Sequence, residues 1–214
     1  ENIHSETYSL LIDTYIDDPV EKDRLFNAIE TIPIIQKKAN WCFKWINDNT
    51  SEFIYRLVAF ACVEGIAFSS VFSGVFWFRS RNKMPGLAAM NELILRDETF
   101  HYEFAINLYN NYLKDDYKLS QEELRKIILG CYEVEKTFVE ESMPDGLQGI
   151  TKNDMIKYVQ YVTDIVLNDF GCEREFKVSN PLEYMSRIGL SSKNNFFEKR
   201  EGEYTRVDIP VSTE

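Results

Sequence analysis

The most apolar stretch of the chain runs through residues 57–78, LVAFACVEGIAFSSVFSGVFWF, and contains one charged residue, Glu64. Its length and apolarity suit a membrane-spanning helix, which is one alternative. A carboxylate at its centre is costly in hydrocarbon, and also in a dry protein core unless a cation or metal ion meets it. The pattern therefore favours the buried central helix of a helical protein, in which Glu64 has such a partner.

Periodic apolar positions elsewhere predict further helices and no strands. Ser120 and Thr151 open capping-box patterns, and Gly171 is a typical helix stop. The predicted helices cover residues 1–16, 19–30, 35–46, 87–113, 120–142, 151–170 and 181–188, and the long central helix follows the polar segment 47–51 and ends near 79–81. The sequence thus predicts an all-α protein, with one helical domain over 1–189 and a flexible tail over 190–214. Because the first helical pattern starts at residue 1 without a cap, we expect an N-terminal truncation.

Composition and charge exclude some classes of partner. The net charge of −11 and the isoelectric point of about 4.8 argue against direct nucleic-acid binding, since there is no basic stripe to follow phosphates. The four cysteines are widely separated, and residues 1–30 do not have the pattern of a signal peptide. We expect free thiols, a cytoplasmic location and no membrane anchor.

The two histidines of the chain each lie three residues after a glutamate, as Glu1–His4 and Glu98–His101. Residues at this spacing share one face of a helix, so each pair directs a carboxylate oxygen and an imidazole nitrogen to the same point. One such pair is commonly a surface pair, but two pairs together with Glu64 favour a metal site. Two facing pairs joined by lone carboxylates form the metal site of ferritin-like di-iron and di-manganese bundles. The second lone carboxylate is expected from a helix before residue 1.

Four segments, ENIHSETY, VEGIAFSSVF, RDETFH and NFFEKREGEY, resemble the small subunit of class I ribonucleotide reductase, in its eukaryotic and viral form. The resemblance extends over essentially the whole chain. It implies a ferritin-like helical bundle that here lacks N-terminal helices. It also implies a di-iron centre and a stable tyrosyl radical, which a separate large subunit uses to reduce ribonucleotides to deoxyribonucleotides for DNA synthesis.

The resemblance also implies a ligand set for the two irons. Glu1 and Glu98 would bridge them, His4 would bind one, and Glu64 and His101 would bind the other. Hard carboxylate and imidazole ligands suit iron, which is expected over manganese. An aspartate ligand and a relay tryptophan that the family supplies from earlier helices are absent from this sequence.

Tyr8, one helical turn after His4, would carry the radical. The resemblance places the side chains of Phe68, Phe72 and Ile94 around it as an apolar pocket. Plain core packing of these three side chains is compatible with that role.

Two further residues would transfer the radical together with His4. Asp97 would hydrogen-bond His4 and fix its imidazole, although an aspartate at this position could also be a surface charge. Tyr204, in the tail, would pass the radical to the large subunit. We expect docking to that subunit through the C-terminal tail, and a homodimer.

Two other readings remain open. The protein could be another di-iron carboxylate oxidase or oxygenase, which would have no use for Tyr8, Asp97 and Tyr204 together. It could also be a metal-free homologue that stabilises an active small subunit, although loss of ligands would then be expected.

Overall fold

The computed structural model describes residues 1–47 and 52–186. Within these ranges the chain is helical, and its one β-type contact is an isolated bridge between Leu147 and Ile150. The all-α prediction is confirmed. The α-helices are α1 Asn2–Tyr15, α2 Pro19–Phe26, α3 Ala28–Thr31, α4 Pro33–Ile46, α5 Phe53–Cys62, α6 Ser69–Arg79, α7 Pro85–Asn107, α8 Gln121–Ser142, α9 Lys152–Asp169 and α10 Glu183–Ser186. The predicted tail and the end of the last predicted helix lie outside the described residues.

Local capping chemistry determines several helix boundaries. At the start of α8 the backbone N–H of Glu123 donates to the Ser120 hydroxyl, and the Glu123 carboxylate accepts from the Ser120 N–H at 2.9 Å. A second capping box opens α9 at Thr151. Gly171 follows α9 with φ +76°, a left-handed conformation that glycine adopts without steric cost. These predicted boundaries are confirmed.

The predicted helix over 19–30 is in fact two helices. Asn27, with φ −100° and ψ 28°, separates α2 from α3. The next helix starts two residues earlier than predicted, because Pro33 occupies its first turn, where no N–H donor is needed.

The central apolar run is also divided. The helix α5 passes into a π-helical segment, Val63–Ala67, and α6 follows after Phe68, whose φ of −107° and ψ of −2° depart from α-helical values. The prediction of one continuous α-helix was wrong here. A second π segment, Leu108–Tyr112, ends the α7 run, and a 3₁₀ turn follows at Asp115–Tyr117.

The central run forms the core of the bundle. Within it, Val58, Ala61, Cys62, Ile66 and Phe76 are fully buried. It packs against α7, α8 and α9, while α4 packs on α8, and α1 packs on α2 and α7. Among the described residues, the run Phe53–Arg79 is the one stretch long and apolar enough to cross a membrane, and 56% of its most apolar window is buried inside the fold. The same side chains thus supply the protein core.

Candidate metal centre

Both Glu-x-x-His pairs form the local contacts that their spacing predicts. His101 Nδ1 lies 2.9 Å from Glu98 Oε2 on α7. At the start of α1, His4 Nδ1 lies 3.5 Å from Glu1 Oε2. Each pair therefore presents a nitrogen and an oxygen on one helix face.

The two pairs converge on the lone carboxylate of the first π segment. Glu1, Glu64, Glu98 and His101 each offer a ligand atom, and these atoms lie within 4.8 Å of one another. His101 Nδ1 is 3.5 Å from Glu1 Oε1 and 3.7 Å from Glu64 Oε2. Three elements far apart in sequence thus bring their acidic groups to a common point.

His4 completes the cluster from the other side of Glu98. Its Nδ1 lies 3.1 Å from Glu98 Oε1, and its Nε2 lies 3.1 Å from Asp97 Oδ2. All five residues predicted to bind metal are therefore together, with Asp97 behind the His4 ring.

The electrostatics of the cluster favour a bound cation. The side chains of Glu64 and Glu98 are each only 8% exposed. Burial foremost, then a hydrogen bond with Glu98 and the negative charges of Glu98 and Glu1, raise the pKa of Glu64 to about 9. Buried carboxylates this close repel one another, and a metal ion between them would relieve the repulsion.

Two buried donor atoms also fit a metal ion. Within the described residues, His4 Nδ1 and Glu64 Oε2 are buried and make no hydrogen bond of good geometry, although Glu98 Oε1 lies 3.1 Å from His4 Nδ1. Unsatisfied buried polar atoms are rare and costly in folded proteins. Carboxylate oxygens and imidazole nitrogens in this number suit iron or manganese, so the donor set fits the metal ions that the sequence implies.

Tyr8 lies one turn beyond His4 on α1. Its hydroxyl donates to Asn91 Oδ1 at 2.9 Å. Burial, and secondly the charge of Glu98, raise the pKa of Tyr8 to about 12, so the phenol keeps its proton at neutral pH. The side chain is nevertheless 37% exposed among the described residues.

The three predicted pocket residues have different surroundings. Phe72 and Ile94 are buried, at 5% and 4% exposure, whereas Phe68 is 39% exposed and its ring centre lies 5.9 Å from the Lys38 ammonium. The radical-pocket role of these three residues stays a prediction. Tyr204, the predicted tail residue, lies outside the described residues.

Two buried polar residues that contact the site or its supports, Asn91 and Glu135, were not predicted from the sequence. Asn91 lies seven residues before Glu98, so it shares the buried face of α7. Glu135 lies four residues after Cys131 and four before Val139, both of which are buried. In both cases the signal was a polar residue at an apolar position of the helical period.

Comparison with known proteins gives a consistent result. Residues 1–181 match the profile of the ribonucleotide reductase small chain family. One ribonucleoside-diphosphate reductase small chain of Arabidopsis thaliana is 51% identical, over 98% of this chain and 60% of that protein. Ribonucleoside-diphosphate reductase subunit M2 of Homo sapiens is 46% identical, over 99% of this chain and 54% of that protein. This chain therefore spans between half and two thirds of the length of these relatives.

Solved structures agree with this result. The Rnr4 homodimer of ribonucleotide reductase from Saccharomyces cerevisiae superposes with a TM-score of 0.75 and 34% identity, covering 85% of this chain and 57% of that one. A class I ribonucleotide reductase from Bacillus halodurans superposes at 0.74 with 17% identity, covering 87% of this chain and 70% of that one, which supports the fold alone. The predicted ferritin-like bundle and the predicted resemblance are both confirmed: this chain belongs to the ribonucleotide reductase small chain family.

Proposed function

We propose that this chain is the radical-generating small subunit of a class I ribonucleoside-diphosphate reductase, and that it binds two iron ions per chain. The observation that carries the proposal is the position of Glu98 between the two histidines. Its Oε1 faces His4 at 3.1 Å, and its Oε2 faces His101 at 2.9 Å. A carboxylate whose two oxygens face separate imidazoles is placed to bridge two metal ions.

Glu1 supports the same reading. Its Oε2 is 3.5 Å from His4 and its Oε1 is 3.5 Å from His101, so it also lies between the two imidazoles. Glu1 and Glu98 would bridge the ions, His4 would bind one, and Glu64 and His101 would bind the other. Iron, rather than manganese, is the expected metal.

Bound iron would supply the activation of dioxygen and the oxidising power that converts a phenol to a phenoxyl radical. The residues of the chain position the phenol and the metal ligands, and they hold the phenol proton. Tyr8 presents its phenol one turn from His4, and Asn91 Oδ1 orients the hydroxyl by accepting a hydrogen bond from it. Asp97 holds the His4 ring through Nε2, which leaves Nδ1 directed at the carboxylates. Phe72 and Ile94 exclude water on the core side.

The remaining parts of the proposal concern partners and location. The large subunit would receive the radical through Tyr204 and dock to the C-terminal tail, and the protein would act as a cytoplasmic homodimer. The relatives named as reductase small chains support a large-subunit partner, and the homodimeric yeast protein supports the homodimer.

The deciding experiment is to load the full-length protein anaerobically with ferrous iron and then expose it to oxygen. We expect about two irons per chain and an electron paramagnetic resonance signal from a tyrosyl radical. A protein that folds but binds no iron would contradict the proposal and favour a metal-free partner role. Iron binding together with oxygen consumption but no radical would favour a different di-iron oxidase.

A further inference from the structure

At the C-terminal end of the first π segment, two backbone groups bond to side chains, one of them from another helix. Ser69, the first residue of α6, donates its hydroxyl to the Ile66 carbonyl at 2.7 Å. The next backbone N–H, that of Ser70, donates to Glu135 Oε1 at 3.2 Å. In a continuous α-helix the Ser70 N–H would bond the Ile66 carbonyl. Here the Ile66 carbonyl and the Ser70 N–H each bond to a side chain instead, where the π segment gives way to α6.

Glu135 is a fully buried carboxylate on α8. Its Oε1 also accepts from the Ser70 hydroxyl at 2.5 Å, and its Oε2 lies 2.6 Å from the Lys38 ammonium. Lys38, on α4, is 12% exposed in its side chain and lies 4.1 Å from the centre of the Phe138 ring. One ion pair therefore connects α4 and α8 to the start of α6.

Such a pair contributes little to stability, because the cost of taking two charges out of water offsets much of their attraction. The best attested use of a buried polar group is to fix register. Register matters at this point, because a π segment contains one more residue than the α-helical turn it replaces. If that extra residue moved along the helix, the residues it passed would rotate by about 100° around the axis.

We propose that Glu135 and Lys38 are positioning residues that hold the π segment at Val63–Ala67 and so keep Glu64 directed at the metal cluster. The inference rests on the proposed function, since Glu64 needs a metal to bind. Glu64 is the second residue of the segment, and Ser70 is the second residue of α6, three residues after the segment ends. Ser70 is bonded to Glu135 on α8, and Glu135 is paired with Lys38 on α4. These contacts fix the rotation of the helix at Ser70, and so keep the extra residue of the π segment within Val63–Ala67.

The test compares Lys38→Met and Glu135→Gln with wild type in the full-length protein. Lys38→Met removes the cation, while Lys38→Arg retains the charge and serves as the conservative rescue. Asp164→Asn is the matched control, because Asp164 is similarly buried and accepts three backbone N–H bonds, but from residues 175–177, which are separate from the π segment. Ser70→Ala, which removes one hydroxyl, is the mild variant to use should the charge variants fail to fold.

Ferrous iron affinity, measured anaerobically by competition with a chelator, is the main readout. Mössbauer spectroscopy then shows which of the two iron positions is affected. We expect Lys38→Met and Glu135→Gln to weaken iron binding roughly tenfold at the position nearest Glu64, as supporting residues of metal ligands commonly do. Ser70→Ala should weaken it in the same direction but less. Lys38→Arg and Asp164→Asn should keep both positions.

If the charge variants, or Ser70→Ala where these do not fold, bind both irons as wild type does, the positioning role is wrong and the pair is structural only. Equal weakening by Asp164→Asn would have the same meaning, because general destabilisation would then explain the loss. A wild-type protein that binds no iron would instead refute the proposed function itself, so the two failures are distinguishable.

Discussion

The substitution Tyr8→Phe isolates the proposed radical residue, because it removes one oxygen atom and retains the ring. The lost oxygen donates a hydrogen bond to Asn91 Oδ1 at 2.9 Å. Asn91 is fully buried, and its amide N–H still donates to the Leu87 carbonyl. Leaving a buried acceptor without a donor costs about 1–3 kcal/mol. Because Tyr8 is 37% exposed, water can reach the site, and we expect the low end, about 1 kcal/mol.

For a domain of this size, such a loss lowers the melting temperature by about 2–4 °C. The iron content should not change, because the Tyr8 hydroxyl is outside the ligand cluster. The radical signal should disappear completely. The assay is therefore iron content, thermal unfolding and electron paramagnetic resonance on the same loaded sample.

Tyr15→Phe is the matched control, since Tyr15 lies on the same helix and is 46% exposed. It should keep both the iron and the radical. An unchanged radical in Tyr8→Phe would refute the assignment of the radical to this residue. Loss of iron together with the radical would refute the view that the phenol lies outside the ligand set.

Three further substitutions test other parts of the structure. Glu64→Ala should lower the iron content from about two ions per chain to about one, measured by metal analysis, and unchanged content would exclude it as a ligand. Hydrogen bonds from a serine and a tyrosine hydroxyl lower the pKa of Glu123 to about 2, so their stabilisation is present above pH 4.5 and is lost as pH falls towards 2. Glu123→Gln should therefore be less stable than wild type to urea at neutral pH, with a gap that narrows below pH 4.5, and a constant gap would contradict this. Gly65→Ala would place a Cβ 2.9 Å from the Tyr102 ring and should cost about 1–3 kcal/mol, while the uncrowded Gly74→Ala should not destabilise the protein, as thermal unfolding of both would show.

The features predicted correctly from sequence are those that depend on local pattern. Capping boxes at Ser120 and Thr151 act within one helical turn, so their residues alone determine the boundary. The spacing of Glu98 and His101 similarly fixes their relation within one helix. Convergence of the pairs on Glu64 was predicted from chemistry, since a buried carboxylate needs a partner.

The features that the sequence did not predict depend on tertiary contacts. The π segment at Val63–Ala67 adds one residue to a turn, and no composition signal distinguishes VEGIA from α-helical sequence. Near its end, Ser70 bonds Glu135, which lies about 65 residues later in the sequence, and Glu135 pairs with Lys38, about 30 residues earlier than Ser70. Only the folded chain brings these three residues together. The break between α2 and α3 at Asn27 likewise occurs without a proline or glycine that would have predicted it.

Helix α1 carries His4 and Tyr8, with Glu1 as its N-cap, and it packs chiefly on α2 and α7. Along a helix, four residues span about 6 Å, so the separation between the imidazole and the phenol is set by backbone geometry and not by side-chain packing. Should α1 tilt or slide against α7, the oxidisable ring and its neighbouring nitrogen would travel together. If Tyr8 is the radical residue, as proposed, its distance from the His4 imidazole is thus protected from the small motions that alter a helix interface.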